Sequence, residues 1–209
     1  VDPETTFIVL DVNFKYNNTL TTKDATTLAS EVLTTLSNYS SDSLNNFVGV
    51  FRHSVVSGII DDTDPSIVSN ITTVKVYQKF TPLITSTANQ KYTISFNNAI
   101  YNPHSGHNAS GGGVISSTGF KISNDDSTNE HFLDDDGAGN LRVYYLSGTT
   151  RIYTSSSFGT VDYSSGEIIL PSANITSISN VDGAASTRVR VTVQPDSNDV
   201  VPVRNQVLS

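Results

Sequence analysis

Helical spacing occurs in only one part of this chain, between Thr21 and Asp61, and from about Thr81 onward it gives way to short strand-like runs. A mixed helix-and-strand segment followed by strands alone reads as α+β, because a parallel α/β wind would keep returning to helix. In "FIVLDVNFKY", Ile8, Leu10, Val12, Phe14 and Tyr16 share one face while Asp11, Asn13 and Lys15 share the other, the pattern of a half-buried strand. "TTKDATTLASEVLTTLSNY" then sets Ala25, Leu28, Ala29, Val32, Leu33, Leu36 and Tyr39 at helical spacing, and Thr21 with Asp24 has the spacing of a capping box. A shorter helix follows Ser54, with Val55, Val56, Ile59 and Ile60 inward, and stops near "DDTDP", since proline steers the residue before it out of the helical region. "NITTVKVYQKF" alternates again, with Val74, Val76 and Phe80 on one side. Residues 1–80 therefore read as a β-α-α-β unit with its helices on a small sheet.

Beyond it, "KYTISF", "GFKIS", "EHFLD", "LRVYYL", "RIYT", "TVDY" and "EIIL" come at short intervals with Gly, Asn, Asp and Ser between them. Such spacing predicts an antiparallel β domain, sandwich or barrel-like, over residues 81–186. "DYSSGEI" reads as a tight hairpin connection with Gly166 at a left-handed position. In "STRVRVTVQP", Val189, Val191 and Val193 form one face of a strand that could return to the first sheet, which makes residues 187–209 a returning strand and tail.

Composition removes several function classes. Twenty acidic residues against twelve basic ones give a net charge of −8, the wrong sign for neutralising phosphates or an anionic membrane surface. No run approaches the roughly 18–20 apolar residues of a membrane helix. The chain has no cysteine, so disulfides, thiolate metal sites and thiol catalysis are all excluded. It also has no methionine, not even at position 1, which reads as a piece or processed product of something longer. Asn17, Asn38, Asn70, Asn108 and Asn174 each begin an Asn-x-Ser/Thr triplet, but in a chain so rich in these residues the triplets arise by chance.

The densest charge cluster is "DDDGAGN", Asp134 to Asn140. An EF-hand fails here: with Gly137 as the sixth-position glycine, Phe132 falls in the first place and Val143 in the twelfth, where a bidentate Glu is needed. A turn between the strands "EHFLDD" and "NLRVYYL" is the better reading, with a weak surface cation site as the alternative. Three exposed carboxylates in a turn would lack the burial that shifts a pKa, which argues against catalysis. In "HSGHNASGGG", His104 and His107 are three apart but sit among Gly, Ser, Asn and Pro103, with no third ligand in sight. The triple glycine is followed by no Lys-Ser/Thr, so it is not a phosphate loop. His53 and His131 lie in or beside apolar stretches and read as packing residues. Elbow serines, zinc-protease motifs and a Walker lysine are absent. A glycosidase carboxylate pair would leave no local motif, but without Trp only Tyr could supply sugar-stacking platforms. The sequence therefore assigns no catalytic, cofactor-binding or metal-binding residue.

"FRHSVVSGIID", "DPSIVSNITTVKV", "YTISFNNAIYNPH" and "VTVQPDSNDVVPVRNQVL", in that order, resemble the C-terminal half of the baseplate wedge ring protein of T-even-type contractile-tailed phages. "FLDDDGAGNLRVYY" and "GTVDYSSGEIIL" fit the same family, so the likeness runs from about Phe7 to Leu208. The resemblance implies a structural virion protein, related to the baseplate J-like group and assembled in the host cytoplasm. It implies association with itself, as dimer or ring contacts around the central hub, and with other wedge proteins, and neither enzymatic activity nor a cofactor. An assembly component taken out of its ring exposes apolar surface. The tail "VVPVRNQVL" and the segment "AIYNP" are candidates for it. The alternative is a tail or surface adhesion module binding glycans through its β domain; a carbohydrate-active enzyme with scattered carboxylates is a further rival.

Overall fold

A computed structural model describes residues 4–45, 49–123, 125, 129–202 and 206–208. Two compact units emerge: residues 1–76 with 197–209, and residues 77–196. The fold is α+β, with two helices and a small sheet in the first unit and an antiparallel sheet in the second.

In the first unit the alternating segment forms β1 (Glu4–Tyr16), and α1 (Ala25–Tyr39) follows. The expected capping box between Thr21 and Asp24 does not form. Asp24 is itself the N-cap, accepting the Thr27 N–H at 2.8 Å, and this bond holds its carboxyl below the usual range. Thr21 Oγ1 instead accepts the Lys23 N–H at 3.1 Å. The Lys23 ammonium is anchored at 2.8 Å to both Glu31 and Asp64, which fixes the approach to the helix from outside it. A π-helical turn over Ser40–Leu44 continues α1 and buries Leu44. The second helix, α2 (His53–Asp61), ends before "DTDP" as the proline requires.

Strand β2 (Ile67–Phe80) buries Thr72, Val74, Val76 and Gln78 on one face, the period-two pattern read from the sequence. Leu28, Val32, Val56 and Ile60 bring the helices onto that core. Residues 197–208 return to this unit. Val200 bridges Phe51, the Asp199 carboxylate accepts the His53 N–H at 2.8 Å, and the last strand, β12 (Gln206–Leu208), runs parallel to Glu4–Thr6.

The second unit contains β3 (Gln90–Ser95), β4 (Ile115–Ser117), β5 (Phe120–Ile122), β6 (His131–Asp135), β7 (Asn140–Ser147), β8 (Thr150–Asp162), β9 (Glu167–Ala173), β10 (Ile175–Ile178) and β11 (Val189–Val193). Seven of these make an antiparallel sheet in the order β10-β5-β6-β7-β8-β9-β3, curled into a half-barrel. The runs "RIYT" and "TVDY" are one thirteen-residue strand, β8, joined through a polar serine stretch and accommodated by register shifts against β7. β11 pairs antiparallel with β4, and its Val189, Val191 and Val193 are buried.

The β8–β9 hairpin turns as read. Gly166 has φ 70°, and a Cβ there would lie 2.0 Å from the Asn98 carbonyl oxygen, so only glycine fits. Asp162 accepts from Ser164 and Ser165 in that turn, and those bonds hold its carboxyl at about 2. Among the described residues no helix is long and apolar enough to cross a membrane.

Candidate functional site

The first unit leaves apolar surface uncovered between β1 and α1. Ile8, Leu10, Val12 and Phe14 point toward the helix, as their alternation requires, yet all stay half-buried. Of the seven α1 residues expected to face inward, only Leu28 and Val32 are buried; Ala25 and Ala29 are exposed, and Leu33 is 69% exposed. The apolar arc of the helix is wider than the strip of sheet beneath it, so one flank hangs over open solvent. Two adjoining hollows follow from this. One, of 260 Å³, is bounded by Ile8, Leu10, Leu33, Leu36, Tyr39 and Phe51 among others. The other, of 240 Å³, lies between Leu10, Val12, Phe14 and the helix residues Ala29, Val32 and Leu33. Neither wall carries a charged residue. A larger but shallow depression of 670 Å³ lies on the hydroxyl-rich face of α1, from Lys23 to Thr35, and brings together no group with evident chemistry beyond the Lys23 ion pairs.

The aspartate cluster is not the exposed triple carboxylate expected from the sequence. Asp134 and Asp135 belong to β6 and are 1% and 0% exposed; only Asp136 starts the turn. Asp134 is met by Arg142 Nε at 2.8 Å, by the Tyr153 hydroxyl at 2.8 Å, and by Arg151. Asp135 accepts from the Tyr163 hydroxyl at 2.7 Å, the Asn108 amide at 2.9 Å and the Ile115 N–H at 3.0 Å. Burial, reinforced by Asp135, pushes the Tyr163 hydroxyl far above the ordinary phenol range. Asp136 accepts the Ala138 and Asn140 N–H groups and the Asn140 amide; burial opposes its ionisation, but these bonds prevail and lower its pKa. The turn reading holds for Asp136–Gly139, with Gly137 at φ 75° and Gly139 at φ 100°.

Arg142 is the centre of this arrangement. Its guanidinium stacks 4.6 Å over the Tyr153 ring and donates to the carbonyls of Asp135 (2.6 Å), Asn108 (3.1 Å), Ala109 (3.3 Å) and Gly112 (3.3 Å). The cluster thus pins the glycine-rich loop to the sheet. Every carboxylate oxygen of Asp134 and Asp135 is committed to a donor, which suits a structural clamp better than a reaction centre.

His104 and His107 face each other edge-on with ring centroids 5.8 Å apart, and His107 Nδ1 lies 3.2 Å from the His104 carbonyl. Among the described residues no group of three or more His, Asp or Glu could hold a metal. His53 Nε2 meets the Thr72 carbonyl at 3.0 Å, while His131 is buried, 2.8 Å from Asp125 Oδ2.

Neither segment proposed as exposed apolar surface provides it as a whole. In the tail, Val200, Val207 and Leu208 are buried and Val201 is exposed; residues 203–205 lie outside the described set. In "AIYNP", Ile100 is buried and Tyr101 is 36% exposed. Single exposed apolar side chains occur elsewhere, Val68 and Ile71 on β2 among them, and apolar surface lies uncovered between β1 and α1. Its one sequence signal was the breadth of the α1 stripe, seven apolar positions over fifteen residues.

Residues 4–79 match the family of the baseplate structural protein gp6, C-terminal domain III, which spans the β1–β2 part of the first unit. No curated protein matches the chain. The family match agrees with the resemblance read from the ordered sequence segments, and supports a structural role in a phage tail baseplate.

Proposed function

We propose that this chain is an architectural part of a phage tail baseplate wedge, working by self-association into a ring around the hub and by contact with other wedge proteins. One observation carries the reading: the family match falls on the same unit whose β1–α1 flank leaves an uncharged apolar trough open to solvent. Apolar hollows whose only polar side chains are the hydroxyls of Ser37, Tyr39 and Ser40, with no charged group among them, suit protein docking better than catalysis. In this reading the chain is not an enzyme, it takes neither nucleic acid nor membrane given its net charge of −8, and it joins the virion in the host cytoplasm. The mechanism is mechanical: interfaces hold neighbouring subunits and keep or exchange contacts when the tail contracts.

Light scattering over a wide concentration range tests it. A dimer, or a larger species that grows with concentration, is the expected result. A strict monomer at high concentration would overturn self-association by this chain.

A further inference from the structure

The edge of β1 offers more than an apolar trough. β1 lies between β12 and β2 in its sheet. β12 covers only Glu4–Thr6, and among the described residues no strand pairs with that edge from Ile8 to Tyr16. A long strand edge of this kind is a template for another strand, and natural proteins normally protect it with a proline or a cover. This one has no proline, and the trough beside α1 runs along it.

We infer that β1 pairs antiparallel with β1 of a second copy, in the register that sets Asp11 opposite Lys15. The inference rests on the self-association proposed above and names its surface.

Charge complementarity selects both the occupant and the register. Around a two-fold axis at Asn13, Asp11 of each copy falls opposite Lys15 of the other, so the seam carries the same ion pair twice. The same register puts Leu10 opposite Tyr16 and Val12 opposite Phe14, so apolar residues meet on the trough side and charges on the other. A shift of two residues in either direction places Asp11 against Asn13 or Asn17 and loses both pairs. A shift of one turns the apolar set of one copy to the polar side of the other. Asp11 and Lys15 are both exposed in the single chain, so they can serve a seam without serving the core. Once paired, the two small sheets become one continuous sheet, and the second copy lies beside the exposed Leu33.

The test uses the full chain and four samples in sedimentation equilibrium: wild type, Asp11→Lys, Lys15→Asp, and the double exchange. Each single reversal places like charges opposite one another twice, and the dimer dissociation constant is expected to rise roughly tenfold. The double exchange restores it. Mixing the two single variants also restores it, because each then supplies what the other lacks. Circular dichroism verifies that the exposed substitutions leave the fold intact.

A wild type that dimerises while the single variants dimerise equally well overturns this seam but leaves self-association standing. Single variants weakened with no recovery in the double exchange or the mixture also overturn the register. A monomeric wild type refutes the seam and the self-association reading together, and points to a foreign strand on this edge.

Discussion

Replacing Arg142 with methionine should detach the glycine-rich loop from the second sheet and cost about 4 kcal/mol. Its two shortest bonds, to Asp134 at 2.8 Å and to the Asp135 carbonyl at 2.6 Å, are charge-assisted and buried, each worth roughly 1.5–3 kcal/mol. The three longer bonds, to Asn108, Ala109 and Gly112, add little singly but are what hold residues 108–112. Asp134 would keep Arg151 and Tyr153, so the change stays within the roughly 3–5 kcal/mol of a broken buried pair. Methionine retains most of the stem's packing, which separates the charge from the volume. Guanidinium unfolding followed by tyrosine fluorescence suits this unit, because the chain has no Trp and Tyr153 lies directly beneath the guanidinium. The midpoint should fall with little change of slope, and native-state proteolysis should cut within residues 104–113 of the variant only. Arg142→Lys should rescue little, since an ammonium cannot reproduce the planar fork. A loss below about 1 kcal/mol would refute the view of Arg142 as the clamp of this loop.

Gly166→Ala should cost about 2 kcal/mol or more in thermal or chemical melts, because its φ of 70° and the approach of Asn98 leave no place for a methyl group. The first unit should show an acid-sensitive term from Asp64, whose carboxyl is held at about 2 by the Lys23 ammonium and then by Ser66. A folded-state value below the ordinary 3.8 means its stabilisation is complete above that pH and disappears as pH falls through about 2. Lys23→Met should therefore flatten the fall of Tm between those limits, and parallel wild-type and variant curves would contradict it. Leu33→Lys should change monomer stability by less than about 0.5 kcal/mol, given its 69% exposure, while weakening association measured by light scattering.

The parts of the fold legible in the sequence were those set by local periodicity. Val74, Val76, Val189, Val191 and Val193 are buried where alternation placed them, and proline ended α2 on schedule. The capping box failed because Asp24 is as good a cap as Thr21, and nothing local reveals that Lys23 is tied to Asp64, forty-one residues away. The same cause hid the buried aspartates. Asp134 and Asp135 look like exposed carboxylates at the end of a strand until Arg142, Arg151, Tyr153 and Tyr163 arrive from elsewhere in the sheet to satisfy them. The three-residue strand β4 is too short for periodicity to mark it, and the serines in the middle of β8 divide its apolar pattern in two. The trough is hidden for the opposite reason: the apolar residues of β1 and α1 are plain in the sequence, but the amount of sheet available to cover them is a tertiary quantity.

The first unit is stitched from two segments far apart along the chain, and this sets an order of events during synthesis. Phe51 waits for Val200, and Glu4–Thr6 for Gln206–Leu208, so these contacts cannot form until the whole intervening stretch has also left the ribosome. The seven-stranded sheet of the second unit is complete in sequence at Ile178 and can fold while β1 still lacks β12. Pairings of this sequence separation are slow to find. During that interval β1 presents both its apolar face and its unpaired edge to neighbouring nascent chains. A chain made on a crowded polysome could therefore meet its twin before it meets its own β12.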